Sequence, residues 1–321
     1  MQAFKKILIT SLIFFVIITS LLFAWSNRYA VFDWWQLRNY EPSDRIAAIV
    51  ERTAMTSEGE RLFYVADPQI SDRETFNANC RVPEFTIILG CYIGHGKIYL
   101  YYIEDPRLDG ILEVTAAHEM LHVAYERLGS SEREELDNLL LREFESIDNP
   151  RIIDSIAQYE QADPGIVPNE LHSILGTEVA NLSTELEEYY EKYFEDRQTV
   201  VSLSKQYESE FESRQSQVEA YDNKLENLGK RIEQNQTTLD VKYNDIQTMR
   251  SELDRLERNQ EIEAYNQRVN QFNQKITRYN NLVQTIHQQI EEFNQIVKDR
   301  NNLTLEVQEL VDAIDSRPES L

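Results

Sequence analysis

The chain has 321 residues and a formal net charge of −24 at pH 7, with 56 Asp and Glu against 32 Lys and Arg. This length is sufficient for one sizeable core and an additional segment. Because the acidic excess leaves no basic surface for phosphate groups, the composition disfavours a nucleic-acid partner.

The N-terminus is basic and is followed by a long apolar run. Lys5 and Lys6 precede residues 7–25, which carry no charge. A helix of this length, at about 1.5 Å per residue, would cross the hydrocarbon core of a bilayer. The run predicts a single-pass anchor in the cell membrane, with residues 1–6 in the cytoplasm and the bulk of the chain outside. Because Ala24-Trp25-Ser26 fits a small-x-small cleavage site, a cleaved signal peptide is the alternative.

Only two cysteines occur, Cys80 and Cys91, and their spacing is not that of a metal site. Outside the cytoplasm such a pair predicts a disulfide, and two buried free thiols are the alternative. Runs of β-branched and aromatic residues at 61–65, 85–89 and 97–103 predict the strands of a small sheet.

A predicted helix follows the sheet, between Asp109 and Gly129, and carries the sequence His118-Glu119-Met120-Leu121-His122. Residues four apart lie on one face of a helix, so His118 and His122 can bind one Zn²⁺ together. Glu119 then stands beside the metal. Its carboxylate is predicted to be the general base that activates water.

This His-Glu-x-x-His pattern is the signature of zincin metallopeptidases, and the chain resembles this class over about residues 60–195. The resemblance implies an α+β metallopeptidase domain, at residues 26–200, in which a small sheet precedes the active-site helix. It also implies a peptide substrate that lies along the edge of that sheet. The metzincin type of zinc site is excluded, because residues 123–128 contain no further histidine.

The third zinc ligand is sought downstream. Asn169-Glu170-Leu171-His172-Ser173 resembles the Asn-Glu-x-x-Ser element of gluzincins, which implies that Glu170 is a ligand. Gly176-Thr177-Glu178 resembles an element of aspzincins, which would make Glu178 the ligand instead. If Glu170 is the ligand, Glu178 is a candidate partner for a ligand histidine. His172 could donate a hydrogen bond to the oxyanion, or it could be an ordinary histidine on the helix surface.

The last third of the chain has a different composition. Apolar residues alternate at spacings of three and four through residues 211–256 and again through 262–297, which predicts a coiled coil at 201–316 before a tail at 317–321. The phase slips near residues 258–261, at the bend of an antiparallel hairpin or at a stutter in one rod. Self-association or pairing with partner helices therefore stays open.

Together these features predict a membrane-anchored, zinc-dependent peptidase, in which Glu119 is the general base, acting on peptides or proteins outside the cytoplasm. The alternative is a coiled-coil scaffold in the cell envelope with an inactive zincin domain. A third hypothesis, an adaptor that regulates another hydrolase, rests on analogy alone.

Overall fold

A computed structural model of the protein describes residues 14, 15, 17–19, 28–80, 87–94 and 96–317. The chain forms two compact units. The first contains residues 1–210 and 312–321, and the second contains residues 211–311.

The predicted α+β fold class is wrong. Helices account for 78% of the described residues, and the sheet that the structure describes has only three strands. The prediction of an N-terminal transmembrane helix is wrong as well. No helix in the described part of the chain is both long and apolar enough to cross a membrane. Most of the apolar run at residues 7–25 lies outside the described residues.

Between residues 28 and 190, the described part of the first unit forms nine α-helices. They are α1 (Arg28–Leu37), α2 (Asp44–Arg52), α3 (Ser57–Val65), α4 (Arg73–Asn79), α5 (Ile111–Glu126), α6 (Ser130–Phe144), α7 (Pro150–Ala162), α8 (Val167–Glu178) and α9 (Thr184–Tyr190). Two longer helices follow, α10 (Arg197–Arg258) and α11 (Ile262–Ile314).

The strands are β1 (Gln69–Ser71), β2 (Gly90–Ile93) and β3 (Lys97–Tyr101), in the spatial order β1-β3-β2. β1 is parallel to β3, and β2 is antiparallel to it, with Cys91 opposite Tyr99. β2 is therefore an edge strand of this sheet, and it packs against α5.

The strand predicted at residues 61–65 is instead part of α3. The Thr56 hydroxyl accepts a hydrogen bond from the Gly59 N–H and caps this helix. Leu62, Phe63 and Val65 are buried in the core, on the side of α3 that packs against α5. A short apolar run fits a buried helix as well as a strand, and here the cap and the packing decide for the helix.

α5 lies at the centre of the first unit, in contact with α3, α8 and β2. Ala116, Ala117, Met120 and Leu121 are completely buried. Small residues on its buried face let neighbouring elements approach closely. This position holds the histidine-bearing face of α5 between β2 and α8.

In the second unit, α10 and α11 run antiparallel to each other. Polar pairs along their length are Arg214–Glu306, Asp222–Arg300, Asn235–Gln289, Asp245–Lys275 and Glu252–Arg268. The number in α10 rises as the number in α11 falls, which is the pattern of a hairpin formed by one chain. Its bend is at residues 259–261, where Gln260 has a φ of 60°. The phase slip in the heptads coincides with this bend.

Replacing Asn235 by leucine is expected to destabilise the hairpin by about 1–3 kcal/mol, because Gln289 would then lack its partner. The Asn235 amide donates to the Gln289 carbonyl oxygen at 2.9 Å, and Gln289 is buried. The double variant Asn235→Leu/Gln289→Leu should recover most of the loss, since no polar group is left unpaired. Urea unfolding followed by circular dichroism measures both changes, and Asn244→Leu at an exposed position is the control. A double variant as unstable as the single one would contradict this pairing.

Candidate metal centre

α5 presents His118 and His122 on one face. Their ring centroids are 4.8 Å apart, and the ring planes are inclined at 79°. Both rings line a cavity of about 420 Å³ between α5, β2, α7 and α8. The spacing of the motif therefore brings two imidazole groups to one site, as expected for residues one turn apart.

Glu170, from the first turn of α8, faces both histidines. Its Oε2 lies 3.7 Å from Nε2 of His118, and its Oε1 lies 3.8 Å from Nε2 of His122. The ligand atoms of tetrahedral zinc, with bonds of about 2.0–2.1 Å, are about 3.4 Å apart. The two distances involve different oxygens of Glu170, so one of these oxygens must move towards the second histidine before all three side chains can bind a single ion. Two histidines with one glutamate form a known catalytic zinc set.

Two residues of α8 orient the ring of His122. The Asn169 Oδ1 lies 3.0 Å from Nδ1 of His122, and the Ser173 hydroxyl lies 3.3 Å from the same atom. Because an amide oxygen only accepts hydrogen bonds, the contact with Asn169 fits the tautomer of His122 in which Nδ1 carries the proton. The lone pair of Nε2 is then directed towards Glu170, as a metal ligand requires. The Asn-Glu-x-x-Ser element thus places Glu170 and also orients a histidine.

Glu119 is buried beside the histidines, and its ligand atom and theirs all lie within 4.8 Å of one another. Distance alone would make it the third ligand, but its carboxylate accepts a hydrogen bond from the backbone N–H of Tyr92 in β2. Glu170 is the better ligand, because its two oxygens each face an Nε2 atom. Burial raises the pKa of Glu119 to about 7, with a further increase from the charge of Glu170 and opposing effects of His122 and Tyr92. Such a carboxyl group can take up and release a proton near neutral pH.

Tyr159 of α7 also reaches the site, and the sequence analysis did not identify it. Burial is the largest effect that raises the pKa of its hydroxyl, and the charges of Glu170, Glu119 and Glu178 raise it further. The phenol therefore stays protonated. Burial alone would raise the pKa of Glu170. The interaction with His118, the charges of His118 and His122 and the hydrogen bond from Tyr159 lower it overall. Tyr159 is thus a hydrogen-bond donor beside the candidate ligands.

Glu178, the alternative third ligand, lies at the end of α8 and lines the same cavity. Its carboxylate forms an ion pair with Arg151, which also contacts Glu208 at 2.5 Å. The structure therefore brings Glu170 to the histidines and pairs Glu178 with an arginine.

His172 does not reach the cavity. It is completely buried, and its ring packs against Tyr125, Tyr189 and Tyr190. Burial lowers the pKa of this imidazole to about 3, with smaller contributions from His122 and His118. A buried histidine outside the cavity cannot be the predicted hydrogen-bond donor to the oxyanion. It is also not the surface histidine of the alternative prediction. On α8, His172 is on the side opposite to the one that faces the cavity.

Cys80 and Cys91 are joined by a disulfide. The bond links the residue that follows α4 to strand β2, which packs on Glu119. At Gly90, an added Cβ would lie 2.8 Å from Oε1 of Glu119 and 2.6 Å from Cγ2 of Thr115. The absence of a side chain at Gly90 is therefore what lets β2 approach α5 this closely.

The lining of the cavity combines apolar and polar side chains. The apolar ones are Ile87, Ile88, Leu89, Val114 and Ile174, and the polar ones include Arg151, Ser155, Tyr159 and Glu178. The candidate ligands line the same cavity, which the edge strand β2 also borders. An extended chain could therefore lie over the site.

No protein-family model matches the chain, and neither a curated protein nor a solved structure shows detectable similarity to it.

Proposed function

We propose that this protein is a zinc-dependent peptidase. The observation that carries the proposal is the position of Glu170, whose two oxygens face Nε2 of His118 and Nε2 of His122 from a different helix. A buried helix that carried two histidines by chance would have no need of a carboxylate aimed at both. Glu119, with a pKa raised to about 7 by burial, stands next to the same group.

His118, His122 and Glu170 would hold the metal, and bound zinc supplies a Lewis acid that polarises a carbonyl and makes water more acidic. Glu119 accepts a proton from the attacking water at a carboxylate oxygen and then returns it to the leaving amine. The backbone N–H of Tyr92 fixes the orientation of this carboxylate. The Tyr159 phenol donates its single proton to Glu170 and so helps to hold this carboxylate in place.

The edge strand beside the cavity supports a peptide as the substrate. β2 borders the cavity and presents backbone N–H and C=O groups there, to which an extended peptide can add by strand pairing. Ile87, Ile88 and Leu89, which line the cavity and directly precede β2, would pack against an apolar side chain of the substrate. A peptide or an extended protein segment fits this surface.

The Cys80–Cys91 disulfide supports a location outside the cytoplasm, where such bonds persist. In that location the peptidase would act on extracytoplasmic peptides or proteins. A scaffold built on the α10–α11 hairpin is the alternative, and it would require no metal in the first unit.

Glu170→Ala is expected to lose zinc at concentrations where Glu178→Ala still binds it. Removal of a ligand leaves zinc with two histidines. Glu178 pairs with Arg151 and not with a candidate ligand, so its removal should cost at most the roughly 10–100-fold in affinity that is typical for the hydrogen-bond partner of a ligand. Zinc titration and metal analysis of the purified chain measure the difference, and wild type should hold about one zinc per chain. Glu178→Ala is a matched control because it removes a carboxylate from the same helix and the same cavity.

Wild-type protein that stays free of zinc when zinc is supplied would contradict the peptidase proposal and favour the scaffold. If Glu178→Ala proves the weaker binder, the third ligand is wrong. The assignments of His118, His122 and Glu119 would still stand in that case.

A further inference from the structure

The backbone groups in and next to β2 point alternately to β3 and to the other edge of the strand. The Leu89 carbonyl accepts a hydrogen bond from the Tyr101 N–H at 2.7 Å, and therefore faces β3. Because backbone groups alternate in direction along a strand, those of Ile88, Gly90 and Tyr92 face the edge that no strand among the described residues covers. The hydrogen bond from the Tyr92 N–H to the Glu119 carboxylate agrees with this alternation.

The C-terminal segment of the chain, residues 312–317, occupies one position on that edge. The Ser316 hydroxyl donates to the Ile88 carbonyl at 2.6 Å, and Ser316 is only 1% exposed. The Asn77 amide donates to the Ser316 carbonyl at 2.5 Å, and Arg73 donates to the Asp312 carbonyl at 3.5 Å. The segment is thus fixed to α4 and to the backbone that leads into β2.

Gly90 lies between the two occupied positions. Glu119 binds the N–H of Tyr92 on one side, and Ser316 binds the carbonyl of Ile88 on the other. A peptide that adds to this edge can pair with the N–H and C=O of Gly90. To continue past Ile88 it would have to displace residues 312–317.

Antiparallel pairing is the more stable arrangement per residue, and it directs the C-terminal end of the peptide towards Ile88. We propose that residues 312–317 limit the length of the bound peptide on its C-terminal side, so that the site takes peptides ending soon after the residue paired with Gly90. This inference rests on the proposed peptidase function for its substrate class. It makes the C-terminal segment a determinant of specificity.

The test measures peptide binding to the full chain carrying Glu119→Gln, loaded with zinc, so that no cleavage intervenes. The probes are fluorescent random-sequence peptides of graded length, extended at their C-terminal side, and the readout is fluorescence anisotropy. A chain that ends at Ile314 lacks Ser316 and its hydrogen bond to Ile88. A chain that ends at Arg317 keeps it and is the matched control. Ser316→Ala removes only the hydrogen bond to Ile88 and covers the case in which the shorter chain does not fold.

Longer peptides are expected to bind the chain ending at Ile314 on the order of tenfold more tightly than the control, the gain from one or two added backbone hydrogen bonds. Short peptides should bind both chains equally, and Ser316→Ala should shift affinity in the same direction by less. Equal length dependence in all chains, or no binding of any peptide, would overturn the inference. Hydrolysis by the wild-type chain is measured separately. If peptides bind with the expected length dependence but are not cleaved, the peptidase proposal fails while the length limit stands.

Discussion

Glu119→Gln is expected to lower peptide hydrolysis by at least about 100-fold while zinc stays bound, because the variant keeps the size of the side chain and removes the base. Glu119 is buried, so a shape change would disturb the core, and glutamine avoids that change. Its amide oxygen can still accept the hydrogen bond from Tyr92. The measurements are kcat/KM on a fluorogenic peptide and the zinc content of the same sample.

Glu113→Gln is the matched control for this experiment. Glu113 is a buried carboxylate on the same helix, but it pairs with Arg52 at 2.7 Å and does not line the cavity. Its replacement should leave kcat/KM within a small factor of wild type. If Glu119→Gln is as active as Glu113→Gln, the hydrolysis in the sample comes from another source, and Glu119 is not the base.

The sequence predicted α5 and its histidines well because both depend on local periodicity. The apolar run around the motif predicts a helix. Because His118 and His122 are four residues apart, their two rings must lie on the same side of that helix. The long helices α10 and α11 follow from their heptads in the same way. In these three helices the periodicity of the apolar residues alone is enough to predict the structure.

The sheet and the fold class could not be predicted in this way. Residues 61–65 have the composition of a strand, but a cap at Thr56 and packing against α5 make them helical. Part of the strand predicted at 85–89 lies outside the described residues, and β2 begins only at Gly90. A short apolar run carries too little information to decide between a helix and a strand.

The rest of the site depends on tertiary packing. Tyr159 meets Glu170 because α7 packs on α8, and no local pattern near Tyr159 indicates this contact. Asn169 was within reach of sequence reasoning, since it stands in the same motif as Glu170. His172 was misjudged because its neighbours in the chain are site residues, although its side chain points into the tyrosine cluster.

Gly90→Ala is expected to lower kcat/KM by about 10–100-fold and to destabilise the fold by about 1–3 kcal/mol, the usual cost of an overpacked contact. The new Cβ would stand 2.8 Å from both Cγ and Oε1 of Glu119, so either β2 or the carboxylate must move. Either movement disturbs the hydrogen bond between Tyr92 and Glu119 and the edge to which substrate adds. Zinc should remain bound, since His118, His122 and Glu170 keep their positions on α5 and α8.

Gly94→Ala provides the comparison, because a Cβ at Gly94 meets no atom of the described residues within 4 Å. This glycine follows the same strand, so both variants add one methyl group to neighbouring backbone. Activity, zinc content and thermal unfolding are measured on each. A Gly90→Ala protein that matches Gly94→Ala in all three would mean that β2 does not press on Glu119, and that the strand does not hold the base in place. A loss of activity with zinc retained in Gly90→Ala alone would show that close contact between β2 and α5 is needed for hydrolysis.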